Sequence, residues 1–576
     1  MDYSILIGGE AGQGLQTIGG ALSRLFSQIG YHVFSHQDYM SRIRGGHNFY
    51  QLRISDKQVM SSRQRIDIIV ALDLDSIEEH KGDIAENGII IYDAHFIKKT
   101  FDSHGFLNVP FNEIALETGG DKIMSNTAAI GAVLGMLGIG LSVLEDILHK
   151  SLKNKSDDII LKNILTARAG YEYAVKNCKE CRFSVAGASD KGYMLIDSSA
   201  AIGLGAIMSG CKFYAAYPMT PSTAVMNFIA SKAQQYGIMV EQAEDEICAI
   251  NMVLGASFAG VRSMTGTSGG GFALMSEGVS LAGMMELPVV ILEAQRVGPA
   301  TGFPTRTEQS DLMFILHSGH GEFPRIVFAP GTPEEAFYLT NKAFDLAEKF
   351  QIPVFILIDQ YLADSEWTYK SFDYKSLVYN DYRLREDFLK SMSEYKRYAY
   401  TESGVSPLAI PGDSKHLVIV DSDEHDEDGH IVEDIVTRLK MVNKRLSKKL
   451  PLIQSEMSPP VYHGAEKPDV VVTCWGSTYG VVKEAIDTIN YNHSGKRIGM
   501  LHFSQIYPFP SMQKFDFIKL LEDADITICI ENNSTGQFAS LLRGELGYAF
   551  THRINKFDGR PFILESLTEE IYDYIR

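Results

Sequence analysis

The 576-residue chain has few cysteines and a deficit of basic side chains. Its six cysteines are too few for a disulfide framework, and this usage indicates a reducing, cytoplasmic setting. Lys and Arg number 53 against 72 Asp and Glu, which gives a formal net charge of −19. A chain this acidic is a poor general binder of nucleic acid or anionic lipid, so we expect no nucleic acid and no membrane as partner.

Long hydrophobic runs are also scarce. The one long uncharged run, IMSNTAAIGAVLGMLGIGLSVL, covers residues 123–144, but four glycines dilute it. Ser125, Asn126 and Thr127 predict a helix cap at its start. We therefore expect a small-residue helix packed against a sheet. The first residues, MDYSILIGGEAGQG, run from a short apolar strand into a glycine-rich turn without a basic segment, unlike a signal peptide.

Short apolar strands alternate with helical stretches in three parts of the chain, which predicts an α/β fold with three α/β modules. The modules cover residues 1–180, 196–370 and 466–576, separated by a linker at 181–195 and a structured connector at 371–465. In the first module the alternation favours a mostly parallel sheet. The expected strands are 3–7, 49–54, 66–72 and 89–92, then 213–217, 239–242, 263–267, 289–293 and 354–358, and finally 470–474, 498–503 and 526–530.

The first predicted strand ends in the glycine-rich turn GGEAGQG. Gly9, Gly12 and Gly14 in such a turn let backbone N–H groups approach a phosphate. With Arg42 and Arg44 of the nearby SRIRGGHN, they are candidates for holding a phosphorylated ligand such as coenzyme A. The glycine order is not GxGxxG, which disfavours a dinucleotide-dependent dehydrogenase. A tight turn required for helix–sheet packing is an equally good interpretation.

Two further motifs are poor metal sites, so we predict no metal ligands. Cys178 and Cys181 in NCKEC supply two ligands where a structural zinc or an iron–sulfur cluster needs four. The acidic stretch EHDEDGHI resembles the start of a calcium loop, but Ile435 stands where that loop requires a bidentate acid. A solvated loop is the better interpretation.

The second module carries polar groups at successive strand exits, where open α/β sheets bind ligands. AYPMTPST places Thr220 between two stiffening prolines, and EQAEDEICA places Glu246 at the start of an apolar helix. TGTSGGGF is a glycine-rich exit, and EAQRVGPATGFPTRTEQSDL carries Arg296 and Arg306, which suit carboxylates. Rigid turns, helix caps and acids favoured at helix starts explain some of these residues separately. Together they predict a site for a small oxoanion.

At these residues the chain resembles the 2-oxoacid:ferredoxin oxidoreductases, as a fused gamma–alpha subunit. GGEAGQG and RIRGGHN resemble the gamma domain, which the resemblance places at 1–180. YPMTPST is similar to the family signature YPITPS, with Met219 for Ile. GFPTRTEQSDL, EHDEDGHI, CWGSTYG and LHFSQIYPFP resemble the alpha chains of the 2-oxoglutarate branch. The resemblance implies a pyrimidine-binding domain at 196–370 and a transketolase-C-like domain at 466–576.

The resemblance implies thiamine diphosphate chemistry. Glu246 would hydrogen-bond the aminopyrimidine, and Tyr217 and Pro218 would lie with it and Thr220 at the cofactor. The same resemblance assigns Thr220 and Arg296 to the substrate. Charge alone suggests Arg306 for the distal carboxylate of 2-oxoglutarate.

The cofactor site is incomplete in this sequence. It contains no GDG motif for Mg²⁺ and diphosphate, and no cysteine set for a [4Fe-4S] cluster. The resemblance implies that a beta subunit supplies both and that ferredoxin accepts the electrons. The implied reaction converts 2-oxoglutarate and coenzyme A to succinyl-CoA and CO2. Pyruvate, a branched-chain 2-oxoacid or a broad substrate set are alternatives, as is a non-catalytic scaffold in which the candidate residues do not converge.

Overall fold

The computed structural model describes residues 1–41, 45–179, 181, 183, 185, 192–492 and 495–576. Arg42 and Arg44 lie outside these residues. The chain forms two compact units. The first comprises Met1–Ile196, Ser365–Phe372 and Ile563–Glu565, and the second comprises Asp197–Asp364, Asp373–Phe562 and Ser566–Arg576. Strands and helices are numbered below in chain order.

The first unit is built on an eight-stranded sheet in the order β6-β5-β4-β1-β3-β2-β14-β7. Its strands are β1 (Asp2–Glu10), β2 (His32–Asp38), β3 (His47–Ser55), β4 (Ile66–Ala71), β5 (Ile84–Tyr92), β6 (Phe106–Asn108), β7 (Met194–Asp197) and β14 (Glu366–Tyr369). Its helices are α1 (Leu15–Gln28), α2 (Leu74–His80), α3 (Ala94–Ile97), α4 (Phe111–Gly119), α5 (Ser125–Leu137), α6 (Ser142–Ser151) and α7 (Asp157–Asn177). Alternate residues of β1 enter cores on opposite faces, Ile5 and Ile7 on one and Leu6 on the other.

The prediction of a mostly parallel sheet in this unit is wrong. β1 pairs in parallel with β4, as β4 does with β5 and β5 with β6. However, β1 and β2 both pair antiparallel with β3, and β14 pairs antiparallel with β2. The sheet is therefore mixed, because β2 and β3 form a hairpin-like pair that joins β1 from the side opposite β4.

The small-residue stretch forms α5, but its predicted cap is absent. The helix begins at Ser125 after Met124, and no side chain caps it. Its glycines Gly131 and Gly135 face α7: a Cβ on Gly131 would lie 2.8 Å from the carbonyl carbon of Ala167. The helices therefore pack backbone to backbone. Within the described residues, no helix is both long enough and apolar enough to cross a membrane.

A disulfide joins Cys178 and Cys181 directly after α7. The other four cysteines are free thiols. The CxxC spacing of this pair suggested only metal ligands, so the disulfide is not predicted from the sequence.

The second unit contains a seven-stranded and a five-stranded sheet, in the orders β18-β12-β13-β11-β10-β8-β9 and β15-β17-β16-β19-β20. The strands are β8 (Phe213–Ala216), β9 (Met239–Gln242), β10 (Ser263–Thr267), β11 (Val289–Gln295), β12 (Ile326–Phe328), β13 (Pro353–Asp359), β15 (Val461–Gly464), β16 (Val470–Trp475), β17 (Ile498–Phe503), β18 (Gln505–Tyr507), β19 (Ile526–Glu531) and β20 (His552–Asn555). Only β18 and β15 pair antiparallel with their neighbours in these described sheets. The predicted α/β class is confirmed.

Helices cover both sheets of the second unit, and one apolar core joins the sheets. Phe272, Val327, Trp475 and Phe503 belong to that core. The helices are α8 (Ser198–Met208), α9 (Thr223–Tyr236), α10 (Glu246–Phe258), α11 (Gly269–Met284), α12 (Leu312–His317), α13 (Pro333–Phe350), α14 (Gln360–Asp364), α15 (Glu386–Ser391), α16 (Ile435–Asn443), α17 (Lys449–Glu456), α18 (Tyr479–Tyr491), α19 (Phe517–Glu522), α20 (Gln537–Leu546) and α21 (Leu564–Ile575).

The segment predicted as a connector, 371–465, is anchored in this unit by buried charges. The short π-helix Lys444–Lys448 links α16 to α17. The ammonium groups of Lys444 and Lys449 both bind the carboxylate of Glu286, and all three side chains are at most 2% exposed. Burial alone would raise the pKa of Glu286, but the two lysines hold it below the ordinary value of a glutamate.

The strand order places the candidate site. β9 lies on one side of β8 and β10 on the other, so the loops that leave β8 and β10 run in opposite directions. Such a switch point opens a crevice at the carboxyl ends of parallel strands. The loops after β8, β9, β10 and β11 all begin at this edge, because these strands are parallel.

Candidate functional site

Glu246 is a buried acid with an unpaired oxygen. It is the first residue of α10, and the Asp245 side chain caps the helix by accepting a hydrogen bond from the Cys248 N–H at 2.7 Å. The Glu246 side chain is only 3% exposed, and its Oε1 has no hydrogen-bond partner among the described residues. The helix N-terminus favours its negative charge. Because Oε1 has no partner among the described residues, it is available to a donor from a bound ligand.

The glycine-rich exit of β10 makes room for this carboxylate. A Cβ on Gly271 would lie 2.7 Å from the Glu246 Cδ and would also collide with the Thr267 hydroxyl. A Cβ on Gly269 would lie 2.5 Å from Oδ2 of Asp311. Real Cβ atoms essentially never come that close. The glycines at the start of α11 therefore admit two carboxylates to the N-terminus of one helix.

The YPMTPST loop reaches the same place through its neighbours. Thr267 Oγ1 lies 3.9 Å from the Met219 sulfur, next to Thr220 in the loop. Arg296 Nη1 donates a hydrogen bond to the Thr220 carbonyl at 3.1 Å. Thr220 and Arg296 from two strand exits thus meet, and Thr267, which borders Gly271 together with Glu246, contacts the residue before Thr220.

The rest of this loop is shaped by its prolines. Tyr217 is 40% exposed and Pro218 is half-buried beside it. The Ser222 hydroxyl donates to the Met219 carbonyl at 2.7 Å, and no side chain caps α9, although Ser222 and Thr223 are the residue types that usually cap a helix.

Burial and a neighbouring carboxylate have opposite effects on the charge of Arg296. Burial lowers the pKa of its guanidinium, and the charge of Glu293 opposes that effect. Glu293 is fully buried near Asp311. Neither acid was singled out from the sequence, where each is one charge among many in a long loop.

Arg306 occupies a different part of the same long loop. The residue is 8% exposed, and its backbone N–H donates a hydrogen bond to the Phe303 carbonyl at 3.1 Å. Its Cβ lies beside Gly559, which belongs to the segment after β20. Arg306 therefore lies against Phe303 and Gly559, whereas Arg296 binds the Thr220 carbonyl.

The motifs CWGSTYG and IENNSTGQ hold this loop in place. Gln309 Nε2 donates to the Trp475 carbonyl at 2.9 Å, and its Oε1 accepts from the Asn532 N–H at 2.9 Å. The Trp475 indole donates in turn to buried Glu531 at 3.2 Å. These strings are therefore part of the scaffold that joins the two sheets and fixes the arginine-bearing loop.

The glycine turn lies in the first unit. Gly14 has a φ of 87° at the start of α1, and a Cβ there would lie 2.8 Å from the Asn126 Cγ. Gly12 has a φ of 94°, and Gly9 lies against the Gln13 side chain, which accepts a hydrogen bond from the Glu10 N–H at 2.8 Å. Close packing and positive φ account for these glycines. Their predicted role with coenzyme A stays a prediction.

Two family models match the chain. One, described as "Pyruvate ferredoxin/flavodoxin oxidoreductase", matches residues 4–173. The other, "Pyruvate flavodoxin/ferredoxin oxidoreductase, thiamine diP-bdg", matches residues 204–444 and so includes Thr220, Glu246 and Arg296.

Relatives extend the similarity to the whole chain. The 2-oxoacid:ferredoxin oxidoreductase subunit alpha of Sulfolobus sp is 32% identical over 640 aligned positions, covering 100% of this chain and 97% of that protein. The 2-oxoglutarate oxidoreductase subunit KorA of Mycobacterium tuberculosis is 26% identical, and the alignment covers 99% of this chain and 91% of that protein.

A solved structure shares the architecture. The 2-oxoglutarate:ferredoxin oxidoreductase from Magnetococcus marinus, with 2-oxoglutarate, coenzyme A and succinyl-CoA bound, superposes with a TM-score of 0.91 at 30% identity and covers 100% of both chains. Since similarity of this degree runs from end to end in sequence and in structure, the chain belongs to the alpha subunits of the 2-oxoacid:ferredoxin oxidoreductases.

Proposed function

We propose that this alpha subunit serves an enzyme that oxidises 2-oxoglutarate and coenzyme A to succinyl-CoA and CO2, with two ferredoxins each accepting one electron. The observation that carries the substrate proposal is the full-length similarity to a structure with 2-oxoglutarate and succinyl-CoA bound. The name of the M. tuberculosis relative supports the same substrate. Pyruvate and branched-chain 2-oxoacids are the competing substrates.

The residues present fit thiamine diphosphate. When bound, this cofactor supplies the electron sink for the carbanion that loss of CO2 leaves behind. An unsatisfied buried oxygen costs about 1–3 kcal/mol, and Glu246 Oε1 is such an oxygen at the crevice. An N–H of the aminopyrimidine would donate a hydrogen bond to this oxygen, and Glu246 would thereby govern the protonation of that ring. Tyr217 and Pro218 would line the ring on the exposed side.

Thr220 and Arg296 would position the substrate. The Arg296–Thr220 hydrogen bond ties the guanidinium to the cofactor loop, and the other guanidinium N–H groups are suited to a carboxylate. We assign Arg306 to the distal carboxylate of 2-oxoglutarate, a group that pyruvate lacks. Gly9, Gly12, Gly14, Arg42 and Arg44 remain our candidates for coenzyme A.

The proposal includes a beta subunit that brings Mg²⁺, the diphosphate-binding residues and the [4Fe-4S] cluster. The GDG motif expected for the first two does not occur in this sequence. Two of the six cysteines form a disulfide, and the other four lie apart along the chain at 211, 248, 474 and 529.

A matched pair of variants tests the role of Glu246. E246Q in the assembled complex should lower kcat by about 10²–10⁴-fold, and should weaken thiamine diphosphate binding measured by calorimetry. E244Q makes the same chemical change at an exposed position two residues away and should leave both quantities near wild type. A non-catalytic scaffold predicts equal results for the two variants, and that outcome would refute the assignment.

The substrate is tested on the same complex. Reduction of ferredoxin should require coenzyme A, and kcat/KM should be at least about tenfold higher for 2-oxoglutarate than for pyruvate or a branched-chain 2-oxoacid. A higher value for either competitor would replace the 2-oxoglutarate proposal while leaving the family assignment intact.

A further inference from the structure

Glu293 is a fully buried acid without an ordinary partner. It lies near the carboxyl end of β11 and is 0% exposed. Neither of its carboxylate oxygens receives a hydrogen bond from an N–H or O–H of the described residues. The carboxyl group of Asp311 lies beside it, because the Asp311 N–H is held by Gln295, two residues further along β11, and the Asp311 carboxylate reaches Gly269, just after Thr267, the β10 neighbour of Glu293. Two ionised carboxylates only accept hydrogen bonds, so a bond between these groups requires a proton on one of them.

The surroundings show which acid holds the proton. Asp311 lies over the N-terminus of α11, where the missing Cβ of Gly269 admits its Oδ2. A helix N-terminus stabilises a negative charge. The Asp311 N–H is itself held by Gln295 Oε1 at 2.9 Å, which fixes the residue beside β11. Burial raises the pKa of Asp311 too, but the neighbouring Glu293 lowers it, so Asp311 is the better-stabilised anion and Glu293 is the proton donor.

The charges that face Glu293 favour the same assignment. Burial raises the pKa of Glu293 well above the ordinary value, and the negative charges of Asp311 and Asp359 raise it further. Asp359, at the end of the neighbouring strand β13, is held by the Ser477 hydroxyl and by the Leu362 N–H. The cation Arg296 lowers the pKa of Glu293 and only partly offsets these effects.

We propose that Glu293 and Asp311 form a carboxyl pair that holds one proton and thereby leaves Arg296 available to the carboxylate of the 2-oxoacid. The inference rests on the substrate-binding role proposed for Arg296. Glu293 is three residues before Arg296, and the two charges interact. With one shared proton the pair carries a single negative charge. Loss of that proton adds a second charge, which competes with the substrate for the guanidinium. Glu293 is thus a positioning residue rather than a catalytic one.

The pH dependence of KM tests this role in the assembled complex. Over the pH range in which the complex is active, loss of the shared proton should raise KM for the 2-oxoacid about fivefold as pH rises, while kcat follows a separate profile. E293Q replaces the neutral acid with a neutral amide that can still donate to Asp311. Its KM should be nearly flat over the same range. KM is measured with whichever 2-oxoacid the complex uses best.

An infrared measurement tests the proton without any substrate. The difference spectrum between wild type and E293Q at neutral pH should contain the C=O stretch of a protonated carboxylic acid, which shifts in D2O. D311N changes the acceptor and should shift or remove the same band, so the proton remains testable if E293Q does not assemble. Absence of the band in the wild type would overturn the shared proton.

The two measurements separate the possible failures. If the infrared band shows a protonated Glu293 but KM has the same pH profile in wild type and E293Q, the shared proton is supported and its effect on Arg296 is refuted. If no 2-oxoacid is turned over, the proposed function fails, and the infrared band still decides the protonation of the pair.

Discussion

Replacing Gly271 with alanine would perturb the position of the Glu246 carboxylate without changing its chemistry. The added Cβ would lie 2.7 Å from the Glu246 Cδ and would collide with the Thr267 hydroxyl. Both groups are buried, so one of them must move. Overpacking of this kind costs about 1–3 kcal/mol, and a displacement of about 1 Å at a reacting group can lower the rate about 10²-fold.

Gly270 provides the matched control. A Cβ there would meet only the Ala300 carbonyl oxygen, at 3.9 Å. G270A therefore has the helix-stabilising benefit of alanine, about 0.5–1 kcal/mol, without the collision. The free energy of unfolding should be about 1–3 kcal/mol lower for G271A than for G270A.

The assay compares both variants in the assembled complex by denaturant unfolding, thiamine diphosphate affinity and steady-state turnover. G271A should lose about 10²-fold in kcat and bind the cofactor more weakly, with a far smaller effect in G270A. Equal kcat values for the two variants would refute the argument that the glycine exists to admit Glu246.

Three further perturbations follow from the same structure. R306L should lower kcat/KM for 2-oxoglutarate about 10²-fold and for pyruvate far less, since only the former has a distal carboxylate; equal losses in the substrate panel would remove that role. E286Q leaves two buried lysines without a counter-charge and should cost about 3–5 kcal/mol in chemical unfolding, whereas the same change at exposed Glu386 should cost under about 0.5 kcal/mol. Burial raises the pKa of Asp359 to about 6, so the folded state binds this proton more tightly than the unfolded one and loses stability as pH rises from about 4 to about 6. The stability of D359N relative to wild type should increase over that range, and a constant difference in unfolding experiments would contradict the assignment.

Much of the fold follows from local sequence, and the exceptions depend on distant partners. The buried strands β11, β13 and β16 are recognisable because each contains a continuous apolar run. The direction of β3 is not encoded in such a run, so the mixed sheet could not be predicted. The charged stretch 444–449 looks solvated in sequence because its counter-charge, Glu286, is about 160 residues away.

The candidate site divides in the same way. The position of Glu246 at a helix start is predictable from EQAEDEICA, because the capping residue Asp245 directly precedes it. The link between Thr220 and Arg296 depends on two loops that meet only after the sheet forms. Glu293 and Asp311 escaped notice because nothing in a sequence reports that two acids 18 residues apart are buried together.

The central claim is that this subunit holds half of a thiamine diphosphate site and needs a beta subunit to complete it. The most direct test titrates the purified chain with the beta subunit and follows 2-oxoacid- and coenzyme A-dependent reduction of ferredoxin. We expect no turnover by either subunit alone, and a rate that rises with added beta subunit and saturates at equimolar amounts. Turnover of a 2-oxoacid by this chain alone, with the cofactor bound, would contradict the account.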